Sequence, residues 1–140
     1  MIFKITSRPR WGIFGALIAI LFGILTLYSG GVVLFFDGPA RVAAGNYVPF
    51  VLWFNFLAGF AYIIAGAGLF LWRIWAIKLS IFIAAATLLT FLAFGLHIMA
   101  GGDYETRTIG AMSLRSVVWM IIAYYGWKEC NSPLKDRTEI

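Results

Sequence analysis

Residues 11–28 read WGIFGALIAILFGILTLY, eighteen positions without a charge, and after Gly30 and Gly31 the run stays apolar to Phe36. A helix rises about 1.5 Å per residue, so ~20 apolar residues cross a ~30 Å hydrocarbon core. Three further runs meet that length. Val48 to Trp72 holds Asn55 as its one strongly polar member, Ile77 to Ala100 carries Lys78 at its start and His97 near its end, and Ile109 to Trp127 carries Arg115. The alternating segments of ~10 residues that build membrane β-barrels are absent from the pattern. The expected fold is all-α: one antiparallel four-helix transmembrane bundle spanning about 11–36, 48–72, 77–100 and 105–127, with a polar tail over 128–140.

Composition supports lipid as the solvent. Of 140 residues, 62% are hydrophobic and 12% charged, against roughly 45–50% and about 25% in soluble domains. A chain this small has too little interior to hide that surface from water. A disordered protein, a nucleic-acid-binding domain and a secreted disulfide scaffold are excluded. The net charge of +5 belongs to short basic flanks that orient a membrane protein and touch anionic lipid headgroups. One cysteine, Cys130, leaves no intrachain disulfide to form. The first run also has the basic flank of a signal peptide. Its length, and the lack of a small-x-small site before polar sequence, favour a retained helix.

Basic residues set the expected orientation. Lys4, Arg8 and Arg10, then Arg73 and Lys78, then Lys128, Lys135 and Arg137 fall on one side, while the opposite connections hold only Arg41 and Arg107. Both termini are therefore expected in the cytoplasm of a bacterial inner membrane. Trp11, Tyr47, Trp72, Trp75, Tyr104 and Trp127 stand at run ends, where amphipathic rings anchor at headgroups. Arg73 to Ala76 reads as a tight hairpin. Gly101 and Gly102 read as a helix stop, with Asp103 and Glu105 as acids for the fourth helix. Asp37-Gly38-Pro39 is a turn signal, followed by a short interfacial helix over Ala40 to Gly45, and Pro49 suits a first helical turn.

Small residues at four-residue spacing, Gly15, Ala19 and Gly23, with Gly59, Gly66 and Gly68 on the second helix, let backbones approach closely. Polar residues also share faces. Asn55, Gly59, Tyr62 and Gly66 line up on the second helix, Thr87, Thr90, Phe94 and His97 on the third, and Glu105, Thr108, Met112, Arg115 and Trp119 on the fourth. Such faces turn inward, because an intramembrane Arg costs ~2.5–3.5 kcal/mol unless it finds a partner. The expectation is a polar pocket in the outer half made of Asn55, Tyr62, His97, Asp103, Glu105 and Arg115, roofed by the third connection. Arg115 is expected to pair with Glu105, or else Asp103. Three readings of the pocket stay open: a structural network, a site for a quinone-like molecule, and a copper site of His97, Met99, Glu105 and Met112, whose imidazole and thioethers suit that metal. Haem ligation, serine hydrolysis and phosphate-loop chemistry lack their residue patterns.

The segments Asn55-Phe56-Leu57-Ala58-Gly59-Phe60, Ala65-Gly66-Ala67-Gly68-Leu69 and Trp72-Arg73-Ile74-Trp75-Ala76 resemble a hairpin of the DoxX-like family. The resemblance implies a small bacterial four-helix membrane protein of a kind often associated with quinone-linked oxidoreductases. Asn55 stands where that family carries an acid early in its second helix. Gly45 to Phe50 and Gly101 to Glu105 also resemble segments of uncharacterised bacterial inner-membrane proteins. The cofactor is left unknown. The expected function is a non-catalytic accessory or assembly subunit of a larger membrane complex or a homo-oligomer. The alternative is a ligand-handling protein that binds a quinone-like molecule or copper in the outer pocket.

Overall fold

The computed structural model describes residues 10–36, 38–45 and 47–130. Lys4, Arg8, Asp37, Asn46 and the tail over 131–140 lie outside the described residues. The chain forms α1 (Arg10–Phe35), α2 (Pro39–Ala44), α3 (Pro49–Phe70), α4 (Ile74–Met99) and α5 (Thr106–Cys130), with no strand among the described residues. Four of these, all but α2, are long and apolar enough to cross a membrane. The protein is a multi-pass membrane protein.

α1 shows how lipid inverts the usual pattern. Its buried face is Gly12, Gly15, Ala16, Ala19, Gly23, Thr26, Gly30 and Val33, almost all small. Its large side chains, among them Phe14, Leu17, Leu21, Ile24 and Leu25, point outward. Lipid gives apolar helices no reason to hide large residues from it, so close backbone packing of small ones holds the helices together. α3 supplies the matching face. A Cβ at Gly12 would meet Trp72, at Gly15 Leu69, at Gly66 Ala16 and Ile20, at Gly23 Ile63, and at Gly30 Phe56. As numbers rise along α1, the partners on α3 fall. α3 packs in turn on α4 and α4 on α5, while α1 reaches α5 through side chains such as Trp11 against Tyr125, ring centroids 6.0 Å apart. The interior is filled by Ala16, Ala19, Tyr62, Leu69, Ile77, Trp119 and Ile122, and a second cluster of Val48, Val51, Phe94 and Met112 closes the end that carries α2.

Two helix ends share one geometry. At the end of α4, Gly101 N–H bonds Ile98 O and Gly102 N–H bonds His97 O, both at 3.0 Å, with Gly101 at φ 88°. This is a Schellman stop with glycine at the left-handed position, as the Gly-Gly pair suggested. At the end of α3 the same two bonds run from Trp72 to Leu69 O and from Arg73 to Gly68 O, but the residue at φ 56° is Trp72. A tryptophan there is strained, and burial of its ring offsets the cost. The ring is 5% exposed, meets Trp11 edge-on at 5.2 Å, and fits because Gly12 has no side chain. The turn therefore occupies Leu71 to Arg73, and α4 already begins at Ile74, three residues before the expected span. The hairpin expected over Arg73 to Ala76 is corrected accordingly. The short helix of the first connection forms over Pro39–Ala44.

Candidate functional site

The α2 end of the bundle opens into a wide-mouthed cleft of about 480 Å³. α1 contributes Thr26, Ser29, Gly30 and Val33; α2 and the residues after it contribute Ala40, Ala43, Ala44 and Tyr47; α3 gives Leu52 and Asn55; the start of α5 gives Glu105, Thr108 and Ala111, with Arg107 beside them. Gly30, on its lining, lets α1 pack closely on α3 beside it, where a Cβ would stand 3.3 Å from Phe56. α2 holds its place as a roof because two arginines tie it down. Arg41 donates from Nε to Val33 O at 2.8 Å and from Nη2 to Leu34 O at 2.9 Å, satisfying carbonyls that the end of α1 leaves without helical partners. Arg107 donates from Nη2 to Ala43 O at 2.6 Å, which stitches the start of α5 to the end of α2.

The walls are mostly apolar in area, with hydroxyl, amide and charged groups set among them. Asn55 is half-buried and its Oδ1 is buried with no hydrogen-bond partner. A buried amide oxygen left unpaired costs free energy that a ligand hydroxyl or N–H would recover. Below the floor, one turn deeper than Ala111, half-buried Arg115 donates from Nη1 to Thr26 Oγ1 at 3.2 Å. Glu105 stands just before α5, its carbonyl accepting Thr108 N–H at 3.0 Å and its carboxylate packed against Gly45.

Of the six residues expected in the pocket, Asn55 and Glu105 line this cleft and Arg115 lies beneath it. Tyr62 is fully buried in the central core instead, its ring 4.9 Å from that of Trp119. His97 and Asp103 sit together away from the cleft: His97 Nε2 donates to Asp103 O at 3.0 Å, and the imidazole covers Gly102 and meets Phe50 edge-on at 6.0 Å. That bond uses the ring nitrogen to hold the α4–α5 loop. The roof comes from the first connection rather than the third. Arg115 turns to α1, and among the described residues it forms no ion pair with Glu105 or Asp103.

The four residues considered for copper are dispersed. Met99 is 84% exposed beside Leu92 and Leu96, Met112 is enclosed with Val48, Val51 and Phe94, and Glu105 faces the cleft. Among the described residues no three His, Cys, Asp or Glu side chains are grouped to hold a metal ion. Thr26 and Ser29 are cleft residues that sequence reasoning passed over, whereas Thr108 lies on the polar face it assigned to the fourth helix. Thr26 had a visible signal, since it continues the small face of α1 three residues after Gly23 and is the one residue there with a side-chain hydroxyl.

Compared with known proteins, the chain matches no family model, and no curated protein or solved structure shows similarity to it.

Proposed function

We propose that the protein is a small binding protein of the bacterial inner membrane that takes a lipid-soluble molecule with a hydrogen-bonding head, of which a quinone is one type, into the cleft at the α2 end. The observation that carries this is the unpartnered buried Oδ1 of Asn55, a residue that lines a cavity whose other walls are apolar and hydroxyl-bearing, with Glu105 and Arg107 also on its lining. Ligand sites in membranes and soluble proteins alike combine apolar walls with a few placed polar groups. The resemblance of the α3–α4 hairpin to DoxX-like proteins points in the same direction. In this reading the bundle is antiparallel and both termini are cytoplasmic, so the cleft faces outward. What supports that orientation is the basic excess at the opposite end, where Arg10, Arg73, Lys78 and Lys128 stand against Arg41 and Arg107 at this one.

The test is extraction of the protein from its own membrane in mild detergent, followed by mass spectrometry of co-purified lipophiles. A stoichiometric lipid-soluble molecule is expected with the native chain and is lost in Ala44→Trp, which fills the cleft. Equal recovery from both proteins overturns the reading. An accessory role in a larger membrane complex rests on the small size of the chain and is read from the same extraction, as co-purification of a partner complex.

A further inference from the structure

Charge is distributed unevenly around the cleft. At its mouth Glu105 and Arg107 bring one negative and one positive group, and Arg107 is bonded to Ala43 O. Beneath its floor, among the described residues, the one charge is Arg115. It lies nine residues inside α5, about 13 Å along the helix, too far for its side chain to bring the guanidinium fully to the headgroups. Its single hydrogen bond goes to a neutral hydroxyl, Thr26 Oγ1, at 3.2 Å. A guanidinium has five N–H donors, so most of its capacity and all of its charge are left without an anionic match among the described residues. Intramembrane cations of this kind mark ligand pathways when no carboxylate pairs with them.

From this geometry we infer that the head of the ligand is anionic, a carboxylate or a phosphate on an apolar chain, and that Arg115 is the residue that selects its charge. The inference rests on the reading of the cleft as a lipophile site. The apolar chain lies along Val33, Leu52 and Ala111, and the head enters between Thr26 and Asn55, which line the same cavity. Arg115 meets an anionic oxygen there with its unused N–H groups, a charge-assisted contact stronger than any bond to a quinone carbonyl. Asn55 serves with either end of its amide, since a half-turn exchanges Oδ1 and Nδ2: the NH2 end donates to the anion, and the oxygen end accepts from a hydroxyl beside it. A neutral head would leave Arg115 as it now stands.

Titration of the full-length protein in a neutral detergent with probes of one chain length tests this: dodecanoate, dodecyl phosphate, dodecanol and dodecyltrimethylammonium, with inorganic phosphate as the free anion. The two anionic amphiphiles are expected to bind about tenfold tighter than dodecanol. Inorganic phosphate alone is expected to bind far more weakly than dodecyl phosphate. The preference is lost in Arg115→Gln and kept in Arg115→Lys, and Arg115→Leu, which removes the charge and the bond together, takes the place of the Gln variant if that one fails to fold. Dodecanol binding as tightly as the anions, or an anion preference that survives Arg115→Gln, overturns the charge assignment and leaves the cleft reading standing. Inorganic phosphate matching dodecyl phosphate overturns the amphiphile. Binding of no probe, or equal binding to Ala44→Trp, removes the cleft reading and the inference with it.

Discussion

Arg115 and Thr26, 89 residues apart in sequence, share a hydrogen bond that joins α5 to α1 nine residues inside each helix. Both helices are therefore linked at nearly the same depth, about 13 Å from their α2 ends. α1 and α5 otherwise meet through apolar side chains, such as Ile122 against Gly15. The bond is thus a polar tie across a largely apolar seam, and it explains how a charged residue is held within the bundle without an acid.

Removing the neutral partner is expected to cost more than removing the charge. Thr26→Val leaves a half-buried guanidinium with no partner and should destabilise the protein by about 2 kcal/mol. Arg115→Leu removes the desolvated charge as well as the bond, and the freed Thr26 hydroxyl can turn back to a carbonyl of its own helix. Its stability should stay within about 1 kcal/mol of the native chain, and the double change should recover most of the Thr26→Val loss. Thermal unfolding in detergent checks the cycle. Strict additivity of the two changes would show that the tie carries no energy.

The glycines of the α1–α3 contact give a graded series. An alanine Cβ at Gly23 would stand 2.5 Å from Ile63 Cγ1 and 2.8 Å from Gly59 O, a backbone atom that cannot swing aside. At Gly66 it would stand 2.7 Å from Ile20 Cγ1 and 3.0 Å from Ala16 O, and at Gly59 it would meet mainly the flexible Leu27 side chain at 2.9 Å. The order of destabilisation should be Gly23→Ala, then Gly66→Ala, then Gly59→Ala, with the first at about 2–3 kcal/mol. Gly95 and Gly110 have nothing within 4 Å of such a Cβ. Alanine at either should stabilise by about 0.5–1 kcal/mol through helix propensity alone. Melting temperatures of the five variants test the series, and a loss at Gly95 equal to that at Gly23 would refute it.

The four spans are legible in the sequence because lipid demands long, uninterrupted apolar runs, and each run became one helix. The start of α4 was not legible. It depends on the Trp72 ring packing on Trp11 and Gly12, some sixty residues away, and no local pattern announces a tryptophan at a left-handed position. Helical spacing likewise assigned Asn55, His97 and Arg115 to inward faces without saying which neighbour each would meet. Asn55 met the cleft. His97 instead turned to the loop that follows its own helix, because the left-handed turn at Gly101 brings Asp103 O within 3.0 Å of its ring. Arg115 found Thr26 because α1 presents its one buried hydroxyl to α5, a pairing that only the packing decides.

Some of the buried polarity should be dispensable. Tyr62 and Thr87 are both fully buried, and neither the Tyr62 hydroxyl nor Thr87 Oγ1 has a hydrogen-bond partner. An unpaired buried hydroxyl costs about 1–3 kcal/mol relative to an apolar group of the same shape. Tyr62→Phe keeps the ring against Trp119 and Thr87→Val keeps the branched shape, so each should raise the melting temperature, by an amount worth about 1 kcal/mol. A drop in either variant means that the hydroxyl is bonded in the membrane, and identifies the bundle centre as a hydrated or liganded site.

Orientation is open to a direct measurement. Arg10, Arg73, Lys78 and Lys128 stand at the end where α3 turns into α4, while Arg41 and Arg107 stand at the α2 end and are bonded to the carbonyls of Val33, Leu34 and Ala43. Donating to a carbonyl leaves each arginine its charge, so the bias rests on the count, four basic residues at one end against two at the other among the described residues. A reporter active only outside the cytoplasm should be silent when fused at residue 140 and active when inserted after Gly38 or Asp103. Arg41→Gln should leave this pattern unchanged, because the remaining bias already favours it. Moving charge should not: two lysines added beside Gly102, with Arg73→Gln and Lys78→Gln, would weaken the bias enough to give a mixed population. An active fusion at residue 140 in the native chain would invert the bundle, turn the cleft toward the cytoplasm, and require its ligand to come from the inner leaflet.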